Sequence, residues 1–411
     1  MNAENKPAVA PAPAPPVETA PQEATLLDGR FGFDLLARLV QAREGDNVMI
    51  GPRNIRTALA AAAEGAEGRT REEIVSRAGD YGLIDNAPGA SFRNALHIWV
   101  PQGKALQTRF LNHFTNARVD STSPADAPEL INTYVSKQTS GKIPSIMMQP
   151  PDATGIVLTT VFDFEGKWRY PFNPKATTIA KFFAEPNRGT AARFMVQKQR
   201  FRYGESDAGQ MVQLPYRDDG LTMTIFLPAH NVSTESWLRQ NGNDAWKSLV
   251  GALDWREGEV RLPRLRTGYT AQIAAFLSEM GITRAFTEKA EFTGILQDSP
   301  PLRIASVTHK SFIAIDEQGT EAAAVTQVGI RAAAMPIGDA AAPFTMTLDR
   351  PFLLTIGDIH NDKILFMGVV RRVAAATDTA RPAPGKARAG APGAKSSAGA
   401  SAKRRGTRAK K

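Results

Sequence analysis

The chain contains no cysteine among its 411 residues. Disulfides, thiolate metal sites and cysteine nucleophiles are therefore excluded, and the composition fits a reducing compartment. Histidine is scarce: His97, His113, His230, His309 and His360 show no metal-ligand spacing, and there is no His-Glu-x-x-His. A Gly-x-Ser-x-Gly elbow, a P-loop and a Gly-x-Gly-x-x-Gly turn are all missing. These absences predict a protein that is not an enzyme and needs no metal or cofactor. No apolar run is long enough to read as a membrane-spanning helix. The first 25 residues lack the apolar stretch of a secretory signal, so a cytoplasmic location is the default expectation. An export signal upstream of this sequence would make it extracellular or periplasmic.

The net charge of +9 has one source. Residues 374–411 hold ten of the 50 Lys/Arg and one of the 41 Asp/Glu, which leaves forty of each sign in the rest. That tail, built from Ala, Gly, Pro, Lys and Arg without aromatics, cannot bury enough apolar surface to offset its ordering entropy. The same holds for the Pro/Ala-rich residues 1–25. Disorder is expected in 1–25 and 376–411, around one compact body over 26–375 with no internal repeat.

Helical patterning leads. Phe31, Phe33, Leu35, Leu36, Leu39 and Val40 form one apolar face. A helix over Ile55–Ala63 follows Gly51-Pro52, with Asn54 as its expected cap, and another runs from Glu129 to Thr139 before Ser140-Gly141. Strand signals follow: Ile156–Phe162 and Leu221–Leu227 as buried strands, then runs near Val260–Leu265, Ser311–Ile315, Pro351–Ile356 and Ile364–Val370. Helices early and strands late predict an α+β fold with large sheets.

The stretch from Glu317 to Arg331 has two readings. Its alanines suit a helix start or a solvent loop. With a period of two it becomes a strand with Thr320, Ala322, Ala324, Thr326, Val328 and Ile330 on one uncharged, mostly small face, and both Glu321 and Arg331 on the other. Such a segment fits between existing strands without overpacking.

From about Leu26 to Val373 the landmarks resemble the serpin family. Asn47-Val48-Met49-Ile50-Gly51-Pro52 is similar to the turn before that family's second helix. Ile131-Asn132-Thr133-Tyr134-Val135 with Thr139-Ser140-Gly141-Lys142-Ile143 resembles its helix across the main sheet. Phe164-Glu165-Gly166-Lys167-Trp168 resembles the strand at the point of loop insertion. Leu214-Pro215-Tyr216, Leu262-Pro263-Arg264, Arg350-Pro351-Phe352 and Leu365-Phe366-Met367-Gly368 fit too. The resemblance implies a serpin fold with a large mixed sheet, eight to nine helices and an exposed reactive-centre loop at about 317–342. It implies a monomeric suicide-substrate inhibitor, attacked by a serine protease that is trapped as an acyl complex when the cleaved loop inserts.

The resemblance also places residues. Glu317, Gly319, Thr320, Glu321, Ala322, Ala323 and Ala324 match an inhibitory hinge. Family spacing puts the scissile bond at Ala333–Ala334, bait for an elastase- or subtilisin-like enzyme, with Met335 (chymotrypsin-like) and Arg331 (trypsin-like) as alternatives. His309 matches a central histidine whose polar partners are replaced here by Gly51, Asn54 and Thr160, and Asn54 is expected to bond it. Trp168 matches a tryptophan where insertion begins. Ordinary core packing accounts equally for His309 and Trp168.

Two rival functions stay open. One is a serpin-fold carrier or chaperone without inhibitory action. The other adds nucleic acid or another polyanion as partner, through Lys403, Arg404, Arg405, Arg408, Lys410 and Lys411, although a merely solubilising tail has the same composition.

Overall fold

The structure is a computed structural model and describes residues 20–377 apart from 80–91, 102–105, 112–116, 153–154, 218–219, 297–301, 321–341 and 359–362. Among the described residues sixteen strands form two sheets. The first contains β1 (Val48–Ile50), β16 (Lys363–Val370), β15 (Phe352–Asp358), β9 (Leu221–Pro228), β8 (Gly209–Pro215), β7 (Arg188–Ser206), β10 (Asp254–Pro263) and β14 (Phe344–Thr347) in that order, with β6 (Thr178–Glu185) beside β7. The second runs β3 (Ala117–Thr122), β2 (Phe92–Pro101), β4 (Gly155–Phe164), β12 (Arg303–Ile315), β13 (Gly319–Thr320) and β5 (Gly166–Lys167), with β11 (Leu265–Gln272) on β12. The α+β expectation holds.

Seven α-helices occur among the described residues: α1 (Ala20–Ala42), α2 (Pro52–Ala63), α3 (Gly68–Ala78), α4 (Thr108–Leu111), α5 (Ala127–Gln138), α6 (Thr234–Gly251) and α7 (Ala274–Glu279). Eight to nine were expected. Part of the difference lies in α6, where two helices run together across Gly242 (φ 59°). Helix α1 begins at Ala20, inside the segment expected to be unstructured. Ala20, Gln22, Glu23 and Ala24 are helix formers, and Pro21 is tolerated in a first turn. At the other end the Ala376 amide donates to Ala191 O at 2.7 Å, which ties the chain to β7 up to that residue.

Asn54 is not a cap. Helix α2 starts two residues earlier, with Pro52 in its first turn and Gly51 at the cap position. Apart from Arg53 all of α2 is buried, and its alanines let it lie close against β4 and β16. All ten residues of β4 are buried, as the reading of Ile156–Phe162 as a buried strand predicted. A small cluster of Trp99, Ala127, Ile131, Val135, Ile143, Val157 and Val161 seats α5 across β2 and β4.

β4 and β12 pair in parallel, from Gly155 opposite Arg303 to Asp163 opposite Phe312. Beyond that seam the chain turns through Asp316, and β13 runs back antiparallel to Ile315 of β12 on one side and to β5 on the other.

Candidate functional site

Trp168 gathers the hinge. Its backbone N–H donates to Gln318 O at 3.0 Å and its indole Nε1 to Asp316 O at 2.9 Å. The indole stacks on Tyr216 with ring centres 4.6 Å apart and meets Phe172 edge-on at 6.1 Å. The Tyr216 hydroxyl and Thr320 Oγ1 lie 2.7 Å apart, both fully buried. Burial pushes the Tyr216 phenol far above its ordinary range, so it stays neutral. Thr320 thus faces the core.

Glu317 anchors the turn. Its Oε1 accepts from Arg264 Nη2 at 2.6 Å, Arg264 Nε at 2.9 Å and Thr177 Oγ1 at 2.5 Å. Burial alone would raise the carboxyl pKa. The bonds from Arg264 and Thr177 outweigh it, and the net shift is downward. Gly319 is required by a close approach: a Cβ there would lie 2.1 Å from Gly166 O.

His309 sits at the middle of the seam, fully buried. The Gly51 N–H donates to its Nε2 at 3.2 Å, so the ring proton is on Nδ1, which faces Thr160 Oγ1 at 2.8 Å. Burial lowers its pKa to about 3 and keeps the ring neutral. The expected Asn54 bond is not made, because the Asn54 amide reaches Val161 O at 2.7 Å instead. Starting α2 at Pro52 turns Asn54 toward β4 and presents the Gly51 backbone to the imidazole.

The connector from α5 to β4 is tied to both borders of the seam. Lys142 Nζ donates to Asp163 Oδ2 at 2.9 Å and Glu165 Oε1 at 2.6 Å, on the β4 side. Lys310 of β12 reaches Ser145 O at 2.7 Å, and burial lowers its pKa. Among the described residues no group of three or more His, Asp or Glu is placed to hold a metal ion. The arrangement holds β13 between β12 and β5 at the head of the seam.

Glu317, Gly319, Thr320 and Trp168 are therefore brought together, and His309 with Thr160. Glu321, Ala322, Ala323, Ala324, Arg331, Ala333, Ala334 and Met335 lie outside the described residues, as do Lys403, Arg404, Arg405, Arg408, Lys410 and Lys411. Thr177 and the roles of Tyr216 and Arg264 escaped the sequence reading. So did the pairing of Lys142, although the aspartate inside β4 is a signal that a cation must approach it.

Residues 27–373 match the family model described as serpin, serine protease inhibitor. The chain belongs to the serpin family. An uncharacterised serpin-like protein of Thermococcus kodakarensis is 33% identical over 365 residues, covering 82% of this chain and 83% of its own. Among solved serpins, Serpin48 of the insect Tenebrio molitor superposes with a TM-score of 0.77 at 24% identity, over 86% of this chain and 99% of its own. Human thyroxine-binding globulin in complex with thyroxine gives 0.77 at 23% identity, over 86% and 100%. At those identities the two structures speak for the serpin fold, and the family's description is protease inhibition rather than catalysis.

Proposed function

We propose that this serpin inhibits serine endopeptidases by inserting residues 321–333 between β4 and β12 after the Ala333–Ala334 bond is cut. The observation that carries this reading is β13. Gly319 and Thr320 already form a strand at the head of a parallel seam, antiparallel to both neighbours. Continued insertion would replace one parallel ladder, the weaker kind, with two antiparallel ones. The small residues that follow would enter without overpacking.

In the chemical step the protease serine Oγ bonds to the Ala333 carbonyl carbon and the Ala333–Ala334 C–N bond breaks. The freed Ala334 amine leaves with a proton supplied by the protease's histidine. Ala333 remains as an ester on the enzyme. Thirteen inserted residues would carry that ester about 44 Å along the sheet. A shallow apolar S1 pocket, elastase- or subtilisin-like, suits alanine, and its small side chain favours broad specificity. Cutting after Met335 or Arg331 would mark a chymotrypsin- or trypsin-like target. We further infer that the tail from Lys403 to Lys411 makes salt-sensitive phosphate contacts with a polyanion and localises the inhibitor.

Incubation with pancreatic elastase and with subtilisin should give an SDS-stable complex, and mass spectrometry of the released peptide should start it at Ala334. The thermal midpoint of the nicked protein should rise steeply. Clean cleavage with no trapped enzyme and an unchanged midpoint would reject inhibition in favour of a carrier.

A further inference from the structure

Beneath α5 a row of polar side chains crosses the second sheet at one level. His97 of β2, Thr159 of β4, Thr308 of β12 and Gln272 of β11 stand opposite one another in turn. Val157 and Val161, which flank Thr159 on the same face, pack under α5. The Tyr134 ring of α5 lies 5.4 Å from His97. His97 and Thr159 are 0% and 1% exposed.

The ends of this row are satisfied and its middle is not. At one end His97 Nε2 bonds Asp120 Oδ2 at 2.8 Å. Burial alone would raise the Asp120 carboxyl, but the bonds from His97 and Arg118 outweigh it and hold its pKa at about 2. A carboxylate only accepts, so the imidazole proton is on Nε2 and Nδ1 is an acceptor. At the other end Gln272 Nε2 donates to Thr308 Oγ1 at 2.6 Å, which leaves the Thr308 hydroxyl proton to be donated onward. Between these ends, His97 Nδ1 and Thr159 Oγ1 have no hydrogen-bond partner among the described residues. Native folds leave few buried polar atoms in that state.

The gap lies at the seam between β4 and β12. β13 pairs Thr320 with Ile315 on one side and with Gly166 on the other. Seven residues back from these two lie Thr308 and Thr159, which face each other across the seam. Seven residues forward from Thr320 lies Gln327. Both registers lead one side chain to one slot. Alternation sets Gln327 on the α5 face of an added strand, with Glu321, Ala323, Val325, Gly329 and Arg331. Of these, Gln327 alone carries both a side-chain donor and a side-chain acceptor.

We propose that His97, Thr159 and Thr308 form a receptor for the Gln327 amide, which locks the inserted strand in register. This rests on the inhibitory reading above. Gln327 Nε2 donates to Thr159 Oγ1, and the Thr159 hydroxyl donates to His97 Nδ1. Gln327 Oε1 accepts from the Thr308 hydroxyl. Hydrogen bonds then run one way along the row from Gln272 to Asp120, and no polar atom in it is left over. Two atoms unpartnered in the native sheet are satisfied only when the strand is in, so the row favours insertion. A slip by one residue would put Thr326 or Val328 in the slot, and neither offers an amide. Gln327 is a positioning residue and touches no reacting atom.

The test uses the full chain, intact and nicked in its reactive segment, with pancreatic elastase and subtilisin. Gln327→Leu removes both bonds, and Gln327→Glu keeps the size but cannot donate to Thr159 when ionised. Both variants should keep the native thermal midpoint and lower the denaturant midpoint of the nicked form. Both should raise the moles of inhibitor consumed per mole of protease trapped about threefold, because slower locking lets deacylation win more often. Thr159→Val removes the acceptor, so adding Gln327→Leu to it should lower the nicked midpoint little further. Wild-type trapping and nicked stability in both Gln327 variants overturn the proposal, as does full additivity with Thr159→Val. A native midpoint that falls as far as the nicked one overturns it too, and so does a nicked crystal structure with water in the slot and the amide elsewhere. If the variants lower the nicked midpoint but the wild type forms no covalent complex, the inhibitory reading fails and the receptor stands. If nicking leaves the wild-type midpoint unchanged, no strand enters and both fall.

Discussion

His309 ties the stability of the seam to pH. Its imidazole titrates at about 3 in the fold, against 6.5 for an exposed histidine. As pH falls below about 6.5 the unfolded chain takes up a proton that the native chain refuses. Stability is therefore full above that pH and declines toward pH 3. From pH 7 to 5 the loss should be about 2 kcal/mol. Glu317 acts in a different window. Its pKa is lowered from 4.5, so its contribution is full above that value and is lost only below it. The native thermal midpoint should fall between pH 7 and 5, and His309→Gln should remove most of that fall. An equal slope in the variant would show that the imidazole is not the sensor. The positions of this histidine and of Thr160 beside it were legible in the sequence, while the donor to its Nε2 was not. Asn54 offers a side-chain amide and Gly51 none, yet a helix starting at Pro52 turns one away and leaves the other's backbone N–H in reach. Side-chain chemistry is written in a sequence, whereas the direction of a backbone N–H depends on where the helix begins.

At the scale of elements, β13 is the sensitive one. A Cβ on Gly319 would meet Gly166 O at 2.1 Å, so any side chain must push β13 away from β5. Gly319→Val should cost the native state about 1–3 kcal/mol and divert most cleavage events from trapping to simple hydrolysis. Calorimetry and the stoichiometry of inhibition measure the two effects. Gly251→Ala is the control, because nothing lies within 4 Å of its added Cβ. Wild-type trapping by Gly319→Val would remove the hinge from the mechanism. The long buried strands β4 and β9 were plain in the sequence because a run such as Ile156–Phe162 is uncharged and carries large apolar side chains on both faces. β12 extends well upstream of the expected Ser311, since Ser306, Thr308 and Lys310 break its apolar signal while the neighbouring strands still supply hydrogen bonds. Two-residue strands such as β5 and β13 carry no periodicity at all. Their pairing is decided by long-range contacts: the family resemblance pointed to β5, and for β13 the period-two reading from Thr320 onward gave the face but not the partners.

Across the whole molecule, charge is divided between a body that sums to zero and a tail that carries the surplus. Removing residues 378–411 takes the chain from +9 to neutrality. The truncated protein should elute from a heparin or DNA column at about 0.1 M salt or below, where the full chain is still held. Its rate of inhibition without polyanion should match the full chain. Equal retention of the two proteins would locate the contact in the body instead.

Under the proposed mechanism the seam between β4 and β12 would take a single added strand. Once filled it would offer no route back, so each molecule would serve as a trap only once. Protection in a cell or fluid would then follow the head count of intact copies against protease molecules, and how fast the chain is replenished would matter more than how tightly it binds.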